Sequence, residues 1–188
     1  MYEFQGKGLG LVAKQLVHSC LFFYMITAIL SLGSNSGQRK KYIEAMEREL
    51  SPIFQSPLMR SRLMETEPLE VDGAQMWYIN RIVGGVYDSS AHDLLYKCLK
   101  IEFALGRDRP YNHAPRTADI DILLFGDDVI NTKDLRIPHA ALCERRFCME
   151  GLNDIAPRLI IPEKGVTVNE YLARLPEHVK NQKINFLS

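Results

Sequence analysis

Several things are scarce in this chain, and each scarcity removes a class of function. Among its 188 residues there are only four cysteines, Cys20, Cys98, Cys143 and Cys148. No CxxC pair occurs and no Cys/His group has zinc-finger spacing, so the sequence carries neither a structural zinc site nor a dithiol redox motif. Free, reduced thiols in a cytoplasmic protein are the plain reading. Net charge is missing as well, since Lys+Arg and Asp+Glu number 23 each. A balanced chain has no broad electrostatic footprint for nucleic acid. No nucleic-acid partner is expected, and any anionic ligand must be held by a local cluster of cations. The Gly-x-Gly-x-x-Gly and P-loop patterns are both missing. No internal repeat, low-complexity tract or interdomain linker is visible.

Long apolar runs are also lacking. The nearest approach is LFFYMITAILSL at residues 21–32, with Lys7 and Lys14 upstream. The pairing of charge and apolar run resembles a signal peptide, but the run is short for a membrane span, and no membrane partner is expected. No A-x-A-like cleavage site follows it, cleavage would remove a core strand, and the cysteines form no disulfide framework. Met25 lies inside the run. The expectation is therefore an extension over residues 1–24 upstream of a natural start at Met25, one domain over 25–175, and a polar tail over 176–188, in a monomer. An intact mass of the native protein equal to the full chain would overturn that start.

What is present is a regular alternation of elements. Residues 26–32 form a short apolar run that fits a buried strand. Ser34, Asn35 and Ser36 are candidate N-caps for a helix over 38–50, where Tyr42, Ile43, Met46 and Leu50 recur at helical spacing and Pro52 makes the stop. Residues 53–66 read as extended, and 76–87, aromatic and β-branched, as a second long strand. Ser89 or Ser90 caps a helix carrying Leu94, Leu95, Cys98, Leu99, Ile101 and Leu105, with Gly106 as its C-cap. A polar loop, RDRPYNHAPRT, leads into the strand ADIDILLF. A helix over 140–153, a strand LIIP and a small helix over 168–174 follow. The order β-α-β-β-α-β predicts an α+β, ferredoxin-like sandwich, an antiparallel sheet with two helices on one face, plus C-terminal helical additions.

The chemistry concentrates in APRTADIDILLFGD, residues 114–127. Side chains alternate across a strand, so Asp119 and Asp121 share a face, with α-carbons about 7 Å apart. Acidic residues are poor strand formers and are rarely buried without a partner. Two so placed repel unless a cation sits between them, and hard oxygen ligands suit Mg²⁺, which completes its shell with water and substrate phosphate. A solvated face, or a pair neutralised by arginines, is the plainer alternative. Arg107, Arg109 and Arg116 lie in the loop that feeds this strand, and Arg145 and Arg146 come later. The arginine fork suits phosphate, and carboxylates for metal beside arginines for phosphate make the equipment of phosphoryl transfer. LGSN at 32–35 can turn backbone N–H groups toward an anion or form an ordinary capped turn. Trp77, Tyr78 and Phe147 can stack on a flat ring or fill core.

Taken together, these residues resemble the 6-hydroxymethyl-7,8-dihydropterin pyrophosphokinases of folate synthesis. The similarity runs from about Met25 to about Pro162, through LGSN, TEPL at 66–69, YIN at 78–80, IEFALGRDR at 101–109, APRTADIDILLFGD, IPH at 137–139, RRF at 145–147 and DIAP at 154–157. The resemblance implies the ferredoxin-like fold and transfer of diphosphate from ATP to the pterin hydroxymethyl group, with AMP leaving. By that similarity Asp119 and Asp121 hold two Mg²⁺ ions, and Arg107 and Arg116 are the catalytic arginines. Glu102, Arg109, Ile122, His139 and Arg145 lie on the ATP side. Thr66, Leu69, Tyr78, Asn80 and Phe147 form the pterin pocket.

Five positions depart from the pattern. Asn112, His113 and Ala114 stand where Arg-Trp-Gly is common, Leu99 replaces a frequent glutamine, and Ala140 replaces an aromatic. The arginine loop, 107–116, is expected to close over ATP. Two other classes compete. A ferredoxin-like RNA-binding module would show exposed aromatics and a basic surface. A nucleotidyltransferase with a D-x-D strand would release diphosphate instead of AMP.

Overall fold

The protein is described here from a computed structural model, which covers residues 25–69, 74–108 and 114–187. Strand β1 (Ile26–Ser34) runs through the middle of the sheet because both of its faces are apolar for most of its length. Ala28, Leu30 and Leu32 point to one core and Ile29 to another. On the second face the side chains then shrink to Ser31 and Gly33, and there the packing gives way to a cleft. The sheet order is β5 (Asp119–Phe125), β1, β4 (Tyr78–Tyr87), β3 (Leu63–Thr66), β8 (Ile184–Leu187), with the short β2 (Met59–Arg60) also on β4; every pairing is antiparallel.

Helices α1 (Arg39–Leu50) and α2 (Ala91–Ala104) cover the first face through Ile43, Met46, Leu50, Leu94 and Cys98, packed on Leu30, Leu32, Ile120 and Ile122. The expected α+β sandwich is therefore present, but the second face is not bare. Helix α3 (Arg146–Ile155) and the short α4 (Val168–Leu172) cover part of it, around Ile29, Met64, Ile82, Leu123 and Leu124. Helix α3 lies close enough that a Cβ on Gly151 would come within 2.2 Å of Ile82 Cγ1. This tight seat fixes the first turn of α3, which carries Phe147.

Other expectations are corrected. The cap of α1 is Gln38, without a side-chain hydrogen bond, because β1 continues through Ser34 and the Asn35 side chain is engaged elsewhere. Ser90 does cap α2, accepting from the Asp93 N–H, and Gly106 ends it at φ +78. The helix expected over 140–153 begins only at Arg146, with turns before it. LIIP contributes a single bridge, Ile160 to Thr167, in place of a strand. The segment read as a polar tail forms α5 (Glu177–Lys180) and then β8, which pairs with β3 from Leu63↔Leu187 to Thr66↔Ile184. The hairpin β6 (Ile130–Asn131) and β7 (Arg136–Ile137) follows β5. Residues 1–24, and the expectation placed on them, lie outside the described residues.

Candidate active site

Register places the key residues in a row across three strands. Gly33 of β1 pairs with Asn80 of β4 on one side and with Asp119 of β5 on the other. Glycine is required at the centre by close approach: a Cβ there would lie 3.0 Å from Asn80 Oδ1 and 3.6 Å from Asp119 Cβ. Asn80 is buried and donates through Nδ2 to Thr66 Oγ1 at 2.8 Å, which fixes its amide. Two pairs along, Ser31 stands opposite Asp121.

This row floors a cleft of about 730 Å³, counting its open mouth. Thr66, Leu69, Tyr78, Asn80 and Phe147 all line it, together with Arg116, Asp119, Asp121 and Arg145. All five residues expected in the pterin pocket are thus brought together beside the paired carboxylates. A second depression, about 640 Å³ on the same measure, runs by the outer edge of β5 and includes Ile122, His139 and Asp121. Asp121 lines both. Trp77 faces a different hollow, beside Arg39 and Glu65.

A β-bulge organises the second depression. The register of β5 on β1 slips between Ile29 and Leu30, passing over Leu123. The Leu123 carbonyl accepts the His139 N–H at 3.0 Å. The His139 Nδ1 accepts from the Ala141 N–H at 3.2 Å, so the neutral ring carries its proton on Nε2, as a donor.

Two arginines converge on Asp119. The Arg107 Nη1 sits 2.7 Å from Asp119 Oδ1 and also contacts the Glu102 carboxylate. The Arg116 Nη1 donates to Asp119 Oδ2 at 3.0 Å. Glu102 is buried and accepts the Ile120 N–H at 2.7 Å, so it anchors the β5 backbone as well as Arg107. Asp121 has a different environment. Burial, and then the charge of Asp119, push its carboxyl above the usual carboxylate range; His139, Arg145 and Arg107 oppose this less strongly. One carboxylate is thus held by arginines, and its neighbour is short of positive charge. A divalent cation with substrate phosphate in its remaining positions fits that donor set.

Sequence reasoning missed several contributors. Asn35 is a strut: its backbone N–H donates to the Arg116 carbonyl at 3.1 Å, its Oδ1 accepts the Arg116 N–H at 2.8 Å, and its Nδ2 donates to Gln75. The Asn of LGSN was legible as important, but only its partner reveals the role. Gln182 and Lys183, from the supposed tail, also line the cleft, as does Glu67. No local signal marks them. Arg109 and His113 lie outside the described residues, as does half of the loop expected to close over ATP, residues 109–113.

Comparisons with known proteins agree with this geometry. The family model described as 7,8-dihydro-6-hydroxymethylpterin-pyrophosphokinase (HPPK) matches residues 29–157. A 2-amino-4-hydroxy-6-hydroxymethyldihydropteridine pyrophosphokinase of Methylorubrum extorquens is 37% identical over 152 residues, covering 80% of this chain and 94% of that protein. The folic acid synthesis protein fol1 of Pneumocystis carinii is 31% identical over 166 residues, 84% of this chain but 22% of that one. Among solved structures, a Plasmodium falciparum HPPK-DHPS A437G with pteroate superposes with TM-score 0.66 at 15% identity, covering 84% of this chain and 42% of that chain, a likeness of fold. This chain therefore spans about a fifth of the fungal protein and under half of the Plasmodium chain. Among the described residues, no helix is long and apolar enough to cross a membrane.

Proposed function

The chain belongs to the 7,8-dihydro-6-hydroxymethylpterin-pyrophosphokinase family, and we propose that its two depressions hold the two substrates of that reaction on either side of Asp121. The enzyme transfers diphosphate from ATP to the hydroxymethyl group of 6-hydroxymethyl-7,8-dihydropterin in folate synthesis, and AMP leaves. The new bond joins the hydroxymethyl oxygen, which gives up its proton, to the β-phosphorus, and the bond from the β-phosphorus to the α-phosphate bridging oxygen breaks, its electron pair leaving with AMP. The observation that carries the reading is the sharing of Asp121 between the cleft of Asn80 and Phe147 and the groove of Ile122 and His139.

Each residue then has a task. Asn80 presents the pterin edge with donor and acceptor from an amide held by Thr66. Phe147 and Tyr78 wall the ring. Arg116 and Arg145 reach the cleft where charge accumulates on the transferring group, and Arg107 holds Asp119 from below. His139 offers its Nε2–H on the nucleotide side. Asp119 and Asp121 would hold the divalent metal, which we take to be two Mg²⁺ ions. Such ions neutralise phosphate oxygens and orient them. Positioning and fixed charge supply most of the acceleration. The roles toward ATP of Glu102, Arg109, Ile122, His139 and Arg145, and closure of the arginine loop, belong to the same proposal. We also place the enzyme in the cytoplasm as a monomer; Cys98, Cys143 and Cys148 are free and buried, as a reducing compartment permits.

Product analysis is the direct test. With Mg·ATP and the pterin alcohol, AMP should appear only when the pterin is present. Release of diphosphate would instead favour the nucleotidyltransferase reading, and no turnover would overturn both. A second expectation concerns Gly33. In Gly33→Ala the new methyl pushes on Asn80, so KM for the pterin should rise by roughly tenfold or more, toward the ~10²-fold that a 1 Å misplacement can cost, with KM for ATP changed much less. Equal effects on both substrates would mean that the row does not bind the pterin.

A further inference from the structure

The residues after 157 lie beyond the stretch that the family model matches, yet two of them touch both walls of the cleft. We propose that Gln182 and Lys183 are positioning residues, a clamp that holds the two pterin-binding walls in register. This rests on the pterin reading of the cleft given above.

Gln182 grips the entry to α3. Its Oε1 accepts the Arg146 N–H at 2.9 Å, and its Nε2 donates to the Glu144 carbonyl at 2.8 Å. The first N–H groups of a helix have no partner inside it and need one from outside. Arg145, the N-cap of α3, supplies no side-chain hydrogen bond, so Gln182 provides the cap from a distant part of the chain. The two backbone groups it holds flank Arg145 and precede Phe147, both of which line the cleft. The Arg146 side chain strengthens the junction by donating to the Lys180 carbonyl at 3.0 Å.

Lys183 grips the opposite wall. Its N–H donates to Glu67 Oε1 at 3.0 Å, and its Nζ lies 3.6 Å from Glu67 Oε2. Glu67 follows Thr66 and precedes Leu69 by two, and all three line the cleft. Pairing of β8 with β3 at Ile184↔Thr66 sets the angle of approach. Two adjacent residues thus join residues 144–147 to residues 66–69, the segments that must close on opposite sides of one flat ring. The ammonium contact is long and exposed and contributes little; the backbone and amide hydrogen bonds carry the clamp.

Steady-state kinetics with both substrates, alongside melting temperature, test this in the full chain. Gln182→Ala should raise KM for the pterin by roughly tenfold or more, toward the ~10²-fold that a 1 Å misplacement can cost, while KM for ATP rises at least threefold less. Glu67→Ala, which removes both contacts to Lys183, should behave in the same way. Gln182→Glu keeps the acceptor for Arg146 and loses the donor to Glu144, so it should fall between wild type and Gln182→Ala. Unchanged pterin KM in Gln182→Ala and Glu67→Ala would overturn the clamp. So would parallel loss for both substrates with a lowered melting temperature, which is the signature of a merely structural contact. Should Gln182→Ala not fold, Glu67→Ala and Gln182→Glu decide. Absence of pterin-dependent AMP release in the wild type would instead remove the reading of the cleft itself.

Discussion

Asp121→Asn is expected to lower turnover by about 10³-fold or more and, at the same time, to raise the melting temperature at neutral pH. The first effect follows from removing a carboxylate charge at the junction of the two substrates, where phosphoryl transfer depends on electrostatic stabilisation. The second follows from what holds Asp121 in place. Burial, and then Asp119 beside it, raise its carboxyl above the usual range. A carboxyl raised by folding helps stability below its unfolded pKa, and that help is lost as pH rises through the folded pKa. The Asp121 carboxyl is therefore a cost to the unliganded fold at neutral pH, and asparagine removes it. The gain should fade as pH falls into and below the ordinary aspartate range, about 4, where the residue is neutral in both states. Calorimetry at neutral and acidic pH, beside steady-state kinetics, checks both halves. A loss of turnover under about tenfold would mean that Asp121 is not a metal ligand. A melting temperature lowered at neutral pH would mean that its charge is better compensated than its surroundings indicate.

Arg107→Ala should do the opposite to stability. The Arg107 guanidinium is buried between Glu102 and Asp119, and Glu102 in turn holds the β5 backbone at Ile120. Removing one partner of a buried ion pair typically costs about 3–5 kcal/mol. For a chain of this size that corresponds to a fall of roughly 10 °C in melting temperature. Arg116 is the control. It reaches the same aspartate, but from the wall of the open cleft. Arg116→Ala should keep its melting temperature within a few degrees and lose turnover by about 10²-fold or more, as loss of a charge that stabilises the transferring group does. The contrast separates two arginines that sequence similarity gives the same role. If both variants melt like the wild type, the buried network contributes less than its geometry indicates.

That contrast marks where sequence was legible. Period-two alternation placed Asp119 and Asp121 on one face, and β5 bears this out, because each strand residue has only two directions to choose from. Thr66, Leu69, Tyr78, Asn80 and Phe147, which the resemblance assigns to a pterin pocket, do meet in one cleft. What escaped was whatever depends on a partner distant in the chain. The stretch INFL is four residues long and becomes a strand only because β3 has a free edge. The start of α3 was misplaced because apolar residues at 142 and 143 extend the helical pattern into turns that pack on the same core. Asn35 looked like a helix cap, for which asparagine is suited, but Arg116 competes for its side chain and wins. A bulge at Leu123 cannot be read from β5 alone, since it is a property of two strands.

The row Asn80, Gly33, Asp119 has a metrical consequence. Neighbouring strands stand about 4.8 Å apart, so two such steps separate Asn80 from Asp119, which the proposed function places at the pterin edge and beside the reacting phosphate. That span is set by backbone hydrogen bonds in the middle of the sheet, which no rotamer change can stretch. Under the proposed function, the enzyme would measure the arm of its alcohol substrate with a fixed gauge. A pterin whose hydroxyl is carried one carbon further out would still seat its ring, and would bring its oxygen past the point of attack.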